Sequence, residues 1–322
     1  MRKDRIKNLL FLTEVLMTGL SLNNLLYQQW MYPEFSLRRI KETEIDFSKE
    51  IGLPVSKKGD LLKWDESTVY VDPSSNPSTR TLEAIREVLY SPDIADEYPH
   101  RILYYMYRDV HKIVDESLIR KDGLRYDITV IPPGKIGREY TKTAGHYHPK
   151  ISGTNYTYPE VYQVIKGEAL YLLQHLNNKG EVDDVVVVKA KEGETVIIPP
   201  GYGHVTINAG RETLIMNNWV SNKFQSIYEP YKEKKGAAYY ALVEGVNGIR
   251  WVVNTNYPEY KYFQHKIRFI DAADLLKKFI LGGIQGIGPA YIFGVGNLDA
   301  LIFLNEPWRL FEEDELIQGG VS

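Results

Sequence analysis

Between about residues 101 and 242 the sequence is a series of short runs rich in Val, Ile and Tyr, separated by turns that contain Gly, Pro or Asn. Turn residues that recur every 8 to 12 positions or so are typical of antiparallel sandwiches and barrels, because each run suits one strand. This spacing predicts a mainly β fold for the middle of the chain. The predicted strands are 126–131, 160–165, 169–175, 185–190, 195–198 and 213–219.

The pattern changes on both sides of this region. Residues 1–95 are predicted to form a helix-rich N-terminal arm packed on the barrel of residues 96–242, and residues 243–322 an α/β C-terminal extension. The glycine-rich stretch 282–289 follows a predicted helix and precedes a strand-like run at 290–293. Phosphate-binding loops have the reverse order, strand, loop and helix, so this stretch is interpreted as an ordinary loop.

Composition excludes several classes of site and partner. The chain has no cysteine, so disulfides, thiolate metal sites and cysteine nucleophiles are excluded. A net charge of -3 gives no general attraction for nucleic acid or anionic membranes. Asp4 and Glu14 interrupt the apolar N-terminal pattern, which favours an amphipathic helix over a signal peptide. No segment has the ~18 apolar residues of a membrane span, and we expect a cytoplasmic protein.

Two of the seven histidines, His146 and His148, are separated by one residue. Side chains at positions i and i+2 of a strand lie on the same face, so both imidazoles could reach one ion inside a barrel. Two partly exposed strand histidines are the alternative interpretation of this pair alone.

Two sequence blocks extend this pattern. The first contains the histidine pair and continues to Glu160, which precedes Gly167 by seven positions. The second runs over 193–208 and has the form Gly-x5-Pro-x-Gly-x2-His-x3-Asn, with His204 as its histidine. The blocks resemble the two motifs of the cupin superfamily. That resemblance implies a double-stranded β-helix, or jelly-roll barrel, and a metal ion bound by His146, His148, Glu160 and His204.

The first block departs from the superfamily pattern at two places. Tyr140 occupies the position of the usual leading glycine, and eleven residues separate His148 from Glu160. We interpret the extra residues, 149–159, as a loop that bulges outward and leaves the Glu160 strand in place.

The implied ligand set suits one divalent metal ion per subunit. Imidazole and carboxylate ligands suit Fe²⁺, which we favour, and also Mn²⁺, Ni²⁺, Zn²⁺ or Co²⁺. Four protein ligands on an octahedral ion would leave two positions for water or substrate oxygens.

A narrower resemblance covers about residues 100–220. Thr129 before a Pro-Gly-Lys turn, the Thr-x-Gly-His-x-His element at 143–148 and the Glu-Val-Tyr at 160–162 are similar to the signature of the cupin-type phosphoglucose isomerases of archaea and some bacteria. The resemblance implies metal-dependent aldose-ketose isomerisation, interconverting glucose 6-phosphate and fructose 6-phosphate in glycolysis and gluconeogenesis. The route would be an enediol or enediolate with Glu160 as base, or else a hydride shift.

The same resemblance implies a set of substrate-binding residues. Phosphate would contact the hydroxyls of Thr129 and Thr143 and the amide of Gly145, and Tyr104 is carried over as a further contact. The family also places a tyrosine and then a histidine after the second motif, where Trp219 and Gln225 stand here. A glutamine side chain cannot act as an acid or base near neutral pH.

Three functions therefore stay open at this point. The first is the isomerase, and the second is a non-catalytic sugar-phosphate-binding cupin, which the missing histidine favours. The third is a metal-dependent cupin dioxygenase or oxidase. Fold analogy favours a homodimer. The expected partner is a small sugar phosphate, with no nucleic acid and no membrane.

Overall fold

Two large β-sheets form the body of the computed structural model, which describes residues 43–246, 248–278 and 288–311. Sheet A has the order β18-β17-β10-β15-β12-β13-β19, with β9 paired to β10, and sheet B has the order β14-β11-β16-β8-β6-β5. Two small sheets, β1-β2-β3 and β4-β7, complete the described strands. The strands are β1 (Ile45–Asp46), β2 (Val55–Lys58), β3 (Leu61–Trp64), β4 (Val69–Tyr70), β5 (Ser78–Thr81), β6 (Ile102–Tyr107), β7 (His111–Lys112), β8 (Leu124–Ile131), β9 (Lys135–Ile136), β10 (Glu139–Lys142), β11 (Glu160–Lys166), β12 (Glu168–Leu176), β13 (Val182–Lys191), β14 (Thr195–Ile198), β15 (Tyr202–Asn208), β16 (Leu214–Ser221), β17 (Tyr239–Glu244), β18 (Gly248–Val253) and β19 (Arg268–Asp271).

Helices in the described residues are short and lie between or after the strands. The α-helices are α1 (Ser48–Ile51), α2 (Ile94–Glu97), α3 (Glu116–Lys121), α4 (Glu229–Glu233), α5 (Tyr260–Phe263), α6 (Ala272–Lys278) and α7 (Ala290–Gly296). The 3-10 helices are Pro73–Ser75, Glu83–Val88, Ile113–Asp115, Leu298–Leu304 and Pro307–Arg309. No helix of the described part is long and apolar enough to cross a bilayer.

The inner faces of the two sheets contact each other through large side chains. Tyr171 on β12 donates a hydrogen bond to the sulfur of Met216 on β16, at 3.4 Å. The rings of Tyr162 on β11 and Tyr171 lie 5.2 Å apart. These contacts cross from sheet A to sheet B, so the space between the sheets is a packed core at this level.

The sequence of strand β13 does not alternate between apolar and polar residues, and its burial explains why. All four valines at 185–188 are buried, whereas a strand with one face in water would bury every second residue. Helix α6 packs on β13 and β14 and buries Leu275 and Leu276 there. The continuous valine run therefore reflects a strand that is covered on both faces.

The predicted strands of the middle region are confirmed, and they fall on β8, β11, β12, β13, β14 and β16. The strand-like run predicted at 290–293 is wrong, because these residues open helix α7. Tertiary contacts override the local pattern: Ala290 donates its amide to Gln163, and Trp219 donates its indole N–H to the Ala290 carbonyl, both at 2.8 Å.

Both sheets also contain strands that extend beyond residues 96–242, the predicted limits of the barrel. Strand β5 pairs with β6 in sheet B, and β17, β18 and β19 belong to sheet A. Residues 1–42 of the predicted arm lie outside the described residues. Over 43–97 the structure has five short strands, two four-residue α-helices and two 3-10 helices, a lower helical content than predicted. The division of the chain at 95 and 242 stays a prediction.

Candidate metal centre and cavity

The four predicted ligands come from both sheets. Glu160 is the first residue of β11 in sheet B, and His204 lies in β15 of sheet A. His146 and His148 follow β10 and do not form a regular strand. Instead, His146 forms a single β-bridge with His204, with N–O distances of 3.2 and 3.0 Å. The backbone itself therefore holds two of the imidazoles side by side.

The ligand atoms of the four side chains converge. The Nε2 atoms of His146 and His148 lie 3.2 Å apart. Glu160 Oε2 lies 3.4 Å from His148 Nε2 and 3.3 Å from His204 Nε2. All four potential ligand atoms lie within 4.8 Å of one another. The structure thus brings together every residue that the sequence suggested as a ligand.

Burial sets the charge states of the cluster. It lowers the pKa of His146 well below its usual value, and the neighbouring histidines lower that pKa further. Burial also lowers the pKa of His204, against the opposing effect of Glu160. For Glu160 burial acts upward, but the adjacent imidazoles of His148 and His204 outweigh it and hold the pKa well below the usual range. Neutral imidazoles beside a carboxylate are the protonation states that bind metals.

The inserted segment 149–159 orients one of the imidazoles. It folds back on itself, with a bridge between Lys150 and Thr157. Its Tyr158 carbonyl accepts a hydrogen bond from His148 Nδ1 at 2.7 Å. Because Nδ1 then carries the proton, Nε2 is left with its lone pair toward the cluster. The insertion, which the sequence predicted as an outward loop, therefore also supports the site.

A tight bend precedes the last ligand. Gly201 has a φ of +84°, and a Cβ at this position would lie 2.7 Å from the ring of His175. Its amide donates to the Thr157 hydroxyl at 2.7 Å. The bend therefore requires glycine, and the insertion also holds the strand that carries His204.

The donor set fits a divalent metal ion. Glu160 Oε2 and His204 Nδ1 are buried without a hydrogen-bond partner among the described residues. A buried carboxylate oxygen is costly to leave unpaired, and a cation among the three imidazoles would satisfy it. No other group of three or more His, Asp or Glu side chains in the described part of the chain converges in this way.

A cavity of about 310 Å³ opens beside the cluster. The four residues predicted to bind substrate line its wall together with the four cluster residues; the predicted ones are Tyr104, Thr129, Thr143 and Gly145. The Tyr104 hydroxyl accepts a hydrogen bond from Ala144 N at 3.3 Å, and burial raises the pKa of Tyr104 to about 12. This phenol therefore stays protonated over the physiological range.

The backbone and the packing of sheet A both require glycine at position 145. Its φ is +80°, and a Cβ there would lie 2.5 Å from Val205 Cγ2. The tight contact is thus with the core of sheet A, not with the space of the cavity. Gly145 also lines the cavity.

Three arginines also line the cavity, and the sequence motifs do not include them. They are Arg80, Arg108 and Arg125. The sequence does contain a pattern that predicts Arg125. Arg125, Asp127 and Thr129 are spaced two residues apart along β8, so they share the face on which Thr129 is predicted to contact substrate. Arg80 had no such signal, because its strand lies in the segment predicted to be helix-rich.

The two residues at the places of the family tyrosine and histidine are separated in space. Trp219 is buried and donates its N–H to Ala290, away from the cavity. Gln225 lines the cavity. Tyr228 also lines it, with its ring 5.5 Å from that of His146. A phenol therefore stands near the cluster in the described part of this loop.

Comparisons with known proteins agree with this geometry. Curated glucose-6-phosphate isomerases from thermophilic archaea are similar in sequence. The one from Thermococcus gammatolerans is 31% identical over 150 residues, which cover 45% of this chain and 72% of the relative. Those from Thermococcus onnurineus and Pyrococcus furiosus are 38% and 35% identical over 108 and 107 residues. These matches cover 33% of this chain and about half of each relative.

Solved structures give weaker matches. An oxalate oxidase is 21% identical over 33% of this chain and 46% of its own, with a TM-score of 0.26. Oxalate decarboxylase from Bacillus subtilis is 17% identical over 38% of this chain and 27% of its own, with a TM-score of 0.27. Likeness at these scores supports no conclusion about function.

The family comparison is decisive. The sequence model of the family described as Glucose-6-phosphate isomerase (GPI) matches residues 85–259, more than half of the chain. This range includes both motif blocks, the four residues of the cluster and the strands that carry them. The chain therefore belongs to the glucose-6-phosphate isomerase family.

Proposed function

We propose that this protein is a metal-dependent aldose-ketose isomerase that interconverts glucose 6-phosphate and fructose 6-phosphate. The observation that supports the proposal most directly is the convergence of three imidazoles and one carboxylate on a cavity whose wall also contains hydroxyl and guanidinium groups. The names of the similar archaeal proteins support the same reaction.

The metal ion would be held by His146, His148, Glu160 and His204. When bound, it would supply Lewis-acid stabilisation for the negative charge that develops on the sugar oxygens. Fe²⁺ is the ion we expect first, and Mn²⁺, Ni²⁺, Zn²⁺ and Co²⁺ suit the same ligands. The imidazoles contribute no charge of their own, so the carboxylate sets the net charge of the ligand set.

Glu160 is the proposed base that moves the proton between C1 and C2. Its Oε2 faces the imidazoles of His148 and His204, which leaves Oε1 as the oxygen that could face substrate. A base must come within about 3 Å of the proton that it removes. A pKa held below the usual range keeps Glu160 ionised, which a base requires.

Other side chains would bind and enclose the substrate. The hydroxyls of Thr129 and Thr143 and the amide of Gly145 are proposed phosphate contacts, with Tyr104 as an added donor. Thr143 Oγ1 already accepts a hydrogen bond from Thr206 N at 3.0 Å, so its own proton is available to a phosphate oxygen.

The second candidate function is sugar-phosphate binding without turnover. Gln225 lines the cavity near the place where the family has a histidine, and an amide cannot exchange protons near neutral pH. Tyr228 is a polar group within the same loop and could assist ring opening by hydrogen bonding. Turnover measurements separate the two candidates.

The test is a coupled assay that follows fructose 6-phosphate conversion to glucose 6-phosphate by the purified protein. Activity should disappear after treatment with a chelator and return when one of the candidate metals is restored. Glu160→Gln should lower kcat by about 100-fold or more, since general acid-base catalysis contributes roughly that factor. Glu168→Gln is the matched control, because Glu168 is partly exposed and pairs only with Lys189 on the surface.

Three outcomes are informative. Metal-dependent turnover that Glu160→Gln removes and Glu168→Gln keeps would support the isomerase. A stoichiometric bound metal without turnover of any hexose phosphate would favour the binding protein. Oxygen uptake with small carboxylic acids would instead indicate a cupin oxidase. A homodimer in the cytoplasm is proposed with the isomerase, and light scattering and cell fractionation test these two statements.

A further inference from the structure

We propose that Arg80, Arg108 and Arg125 form the subsite that binds the phosphoryl group of the substrate. The proposal rests on the proposed function, because it names how the same cavity selects a phosphorylated sugar over a neutral one. A phosphate monoester carries about -1.5 to -2 charges at pH 7, so its recognition needs positive charge as well as hydroxyl groups.

Two of the arginines share one buried carboxylate. Arg108 Nη1 donates to Asp127 Oδ2 at 2.8 Å, and Arg125 Nε donates to Asp127 Oδ1 at 2.9 Å. The Asp127 side chain is 2% exposed, whereas those of Arg108 and Arg125 are 34% and 27% exposed. The carboxylate therefore lies beneath the two guanidinium groups and orients them toward the cavity. One positive charge of this pair remains uncompensated.

Arg80 adds a second uncompensated charge. It lies on β5, the edge strand of sheet B, directly opposite Tyr104 on β6. Its side chain makes no hydrogen bond or ion pair with the rest of the described chain, yet it lines the cavity. A half-buried guanidinium without a counter-ion, beside a cavity, is positioned for an anionic ligand.

Spare donors are present as well as charge. A guanidinium has five N–H groups, and Arg125 uses only Nε in the described contacts with Asp127. Both of its terminal nitrogens are therefore available to phosphate oxygens. Paired N–H groups of arginine bind a phosphate in bidentate fashion, which gives orientation as well as affinity.

Arg80 and Arg125 lie on sheet B beside Tyr104 and Thr129, the two predicted phosphate contacts on this sheet, and Arg108 lies directly after β6. Arg125 and Thr129 are four residues apart on β8, and Arg108 follows Tyr104 by four residues at the end of β6. Residues at even spacing on a strand share a face. The guanidinium groups would thus surround the phosphate that Thr129 and Tyr104 contact, and the sugar would extend from there to the metal cluster.

The test measures binding and turnover separately. Calorimetry on the metal-loaded protein measures the Kd of glucitol 6-phosphate, which has no carbonyl and cannot isomerise, together with inorganic phosphate and neutral glucitol. Arg80→Gln and Arg108→Gln should each raise the Kd of glucitol 6-phosphate about 10-fold or more, as expected for a lost charge-assisted hydrogen bond. The KM for fructose 6-phosphate should rise in parallel while kcat changes little, and Arg80→Lys should restore part of the affinity.

Arg250→Gln is the matched control. Arg250 lies on β18, the edge strand of sheet A, is exposed and lines none of the described cavities near the site. Its Kd and KM should equal those of the unchanged protein. Arg80→Gln is the more secure variant, because it breaks no ion pair, and thermal melting should show that it folds.

The outcomes distinguish this proposal from the proposed function. Tight binding of glucitol 6-phosphate that the arginine variants lose, without turnover of fructose 6-phosphate, would support the subsite and reject the isomerase. Turnover with unchanged affinity in both Arg80→Gln and Arg108→Gln would support the isomerase and overturn the subsite. An unchanged protein that binds glucitol and glucitol 6-phosphate equally would also overturn it.

Discussion

Two parts of the cavity wall, which we call the metal end and the arginine end, are built in different ways. The metal end consists of His146, His148, Glu160 and His204, which come from both sheets and meet through a backbone bridge and an inserted segment. The arginine end consists of Arg80 on β5, Arg108 just after β6 and Arg125 on β8, all from one part of sheet B. Of these, Arg108 and Arg125 share the buried carboxylate of Asp127.

The two ends therefore have separate structural supports. The metal end depends on how the two sheets are joined, because Glu160 belongs to sheet B and His204 to sheet A. The arginine end depends on side-chain alternation within one sheet and on Asp127. Substitutions should therefore affect metal content and phosphate affinity independently, and energies at such separate sites usually add.

The largest effect is expected from His204→Ala at the metal end. Loss of one imidazole should weaken the metal until dialysis removes it, and turnover should fall by about 1000-fold, since metal stabilisation of charge is worth several kcal/mol. Metal content is measured by elemental analysis and phosphate affinity by calorimetry. If the variant loses inorganic phosphate binding together with its metal, the two ends are not independent.

Asp127→Asn should act mainly on stability. Removing a buried carboxylate that pairs with two guanidinium groups is expected to lower the free energy of unfolding by about 3 kcal/mol. Urea unfolding with Asp274→Asn as control measures this, because the Asp274–Lys277 pair is exposed and should contribute less than about 1 kcal/mol. Equal effects of the two substitutions would contradict a structural role for Asp127.

Thr157→Val probes the support of the metal end by the insertion. It removes the acceptor for the Gly201 amide, so the free energy of unfolding should fall by about 1 kcal/mol. Because Gly201 precedes the strand that carries His204, metal affinity should also fall, by up to about 10-fold. Metal competition with a chelator measures the affinity. Unchanged affinity would show that the insertion orients the site only through Tyr158.

Tyr104→Phe should give the smallest change. One hydrogen bond to a ligand is worth about 0.5 to 1.5 kcal/mol, so the KM for fructose 6-phosphate should rise by a few-fold. Burial raises the pKa of Tyr104 to about 12, so the phenol stays protonated through pH 10. The alkaline side of the kcat/KM profile below pH 10 should therefore be the same in the variant and the unchanged protein. A shifted profile would show that ionisation of Tyr104 causes the alkaline change in kcat/KM.

The sequence predicted the metal end better than the arginine end for a physical reason. The ligands stand in motifs whose spacing reflects fixed turns, such as the bend at Gly201, and an eleven-residue insertion did not move Glu160. Arg125 could have been predicted from its alternation with Thr129. Arg80 could not, because its inclusion depends on the pairing of β5 with β6, a contact that local sequence does not encode.

The helix at α7 illustrates the same limit. The run at 290–293 is apolar and strand-like in composition, but it forms a helix. Ala290 at its start contacts Gln163 and Trp219 of sheet B. The indole of Trp219 leaves so little room that a Cβ at Gly294 would lie 2.5 Å from it. Such packing is a property of two distant segments together, and neither segment predicts it alone.

The contact between α7 and sheet B also has an evolutionary consequence. Gln163, which lies on the strand that begins with Glu160, donates to the Gly288 carbonyl and accepts from the Ala290 amide, both at 2.8 Å. A shortened descendant that lost the segment after residue 242 would keep the four residues of the cluster. It would expose the indole of Trp219 and leave the side-chain amide of Gln163 without its two hydrogen-bond partners. Gene truncation should therefore be accompanied by compensating replacements at Trp219 and Gln163.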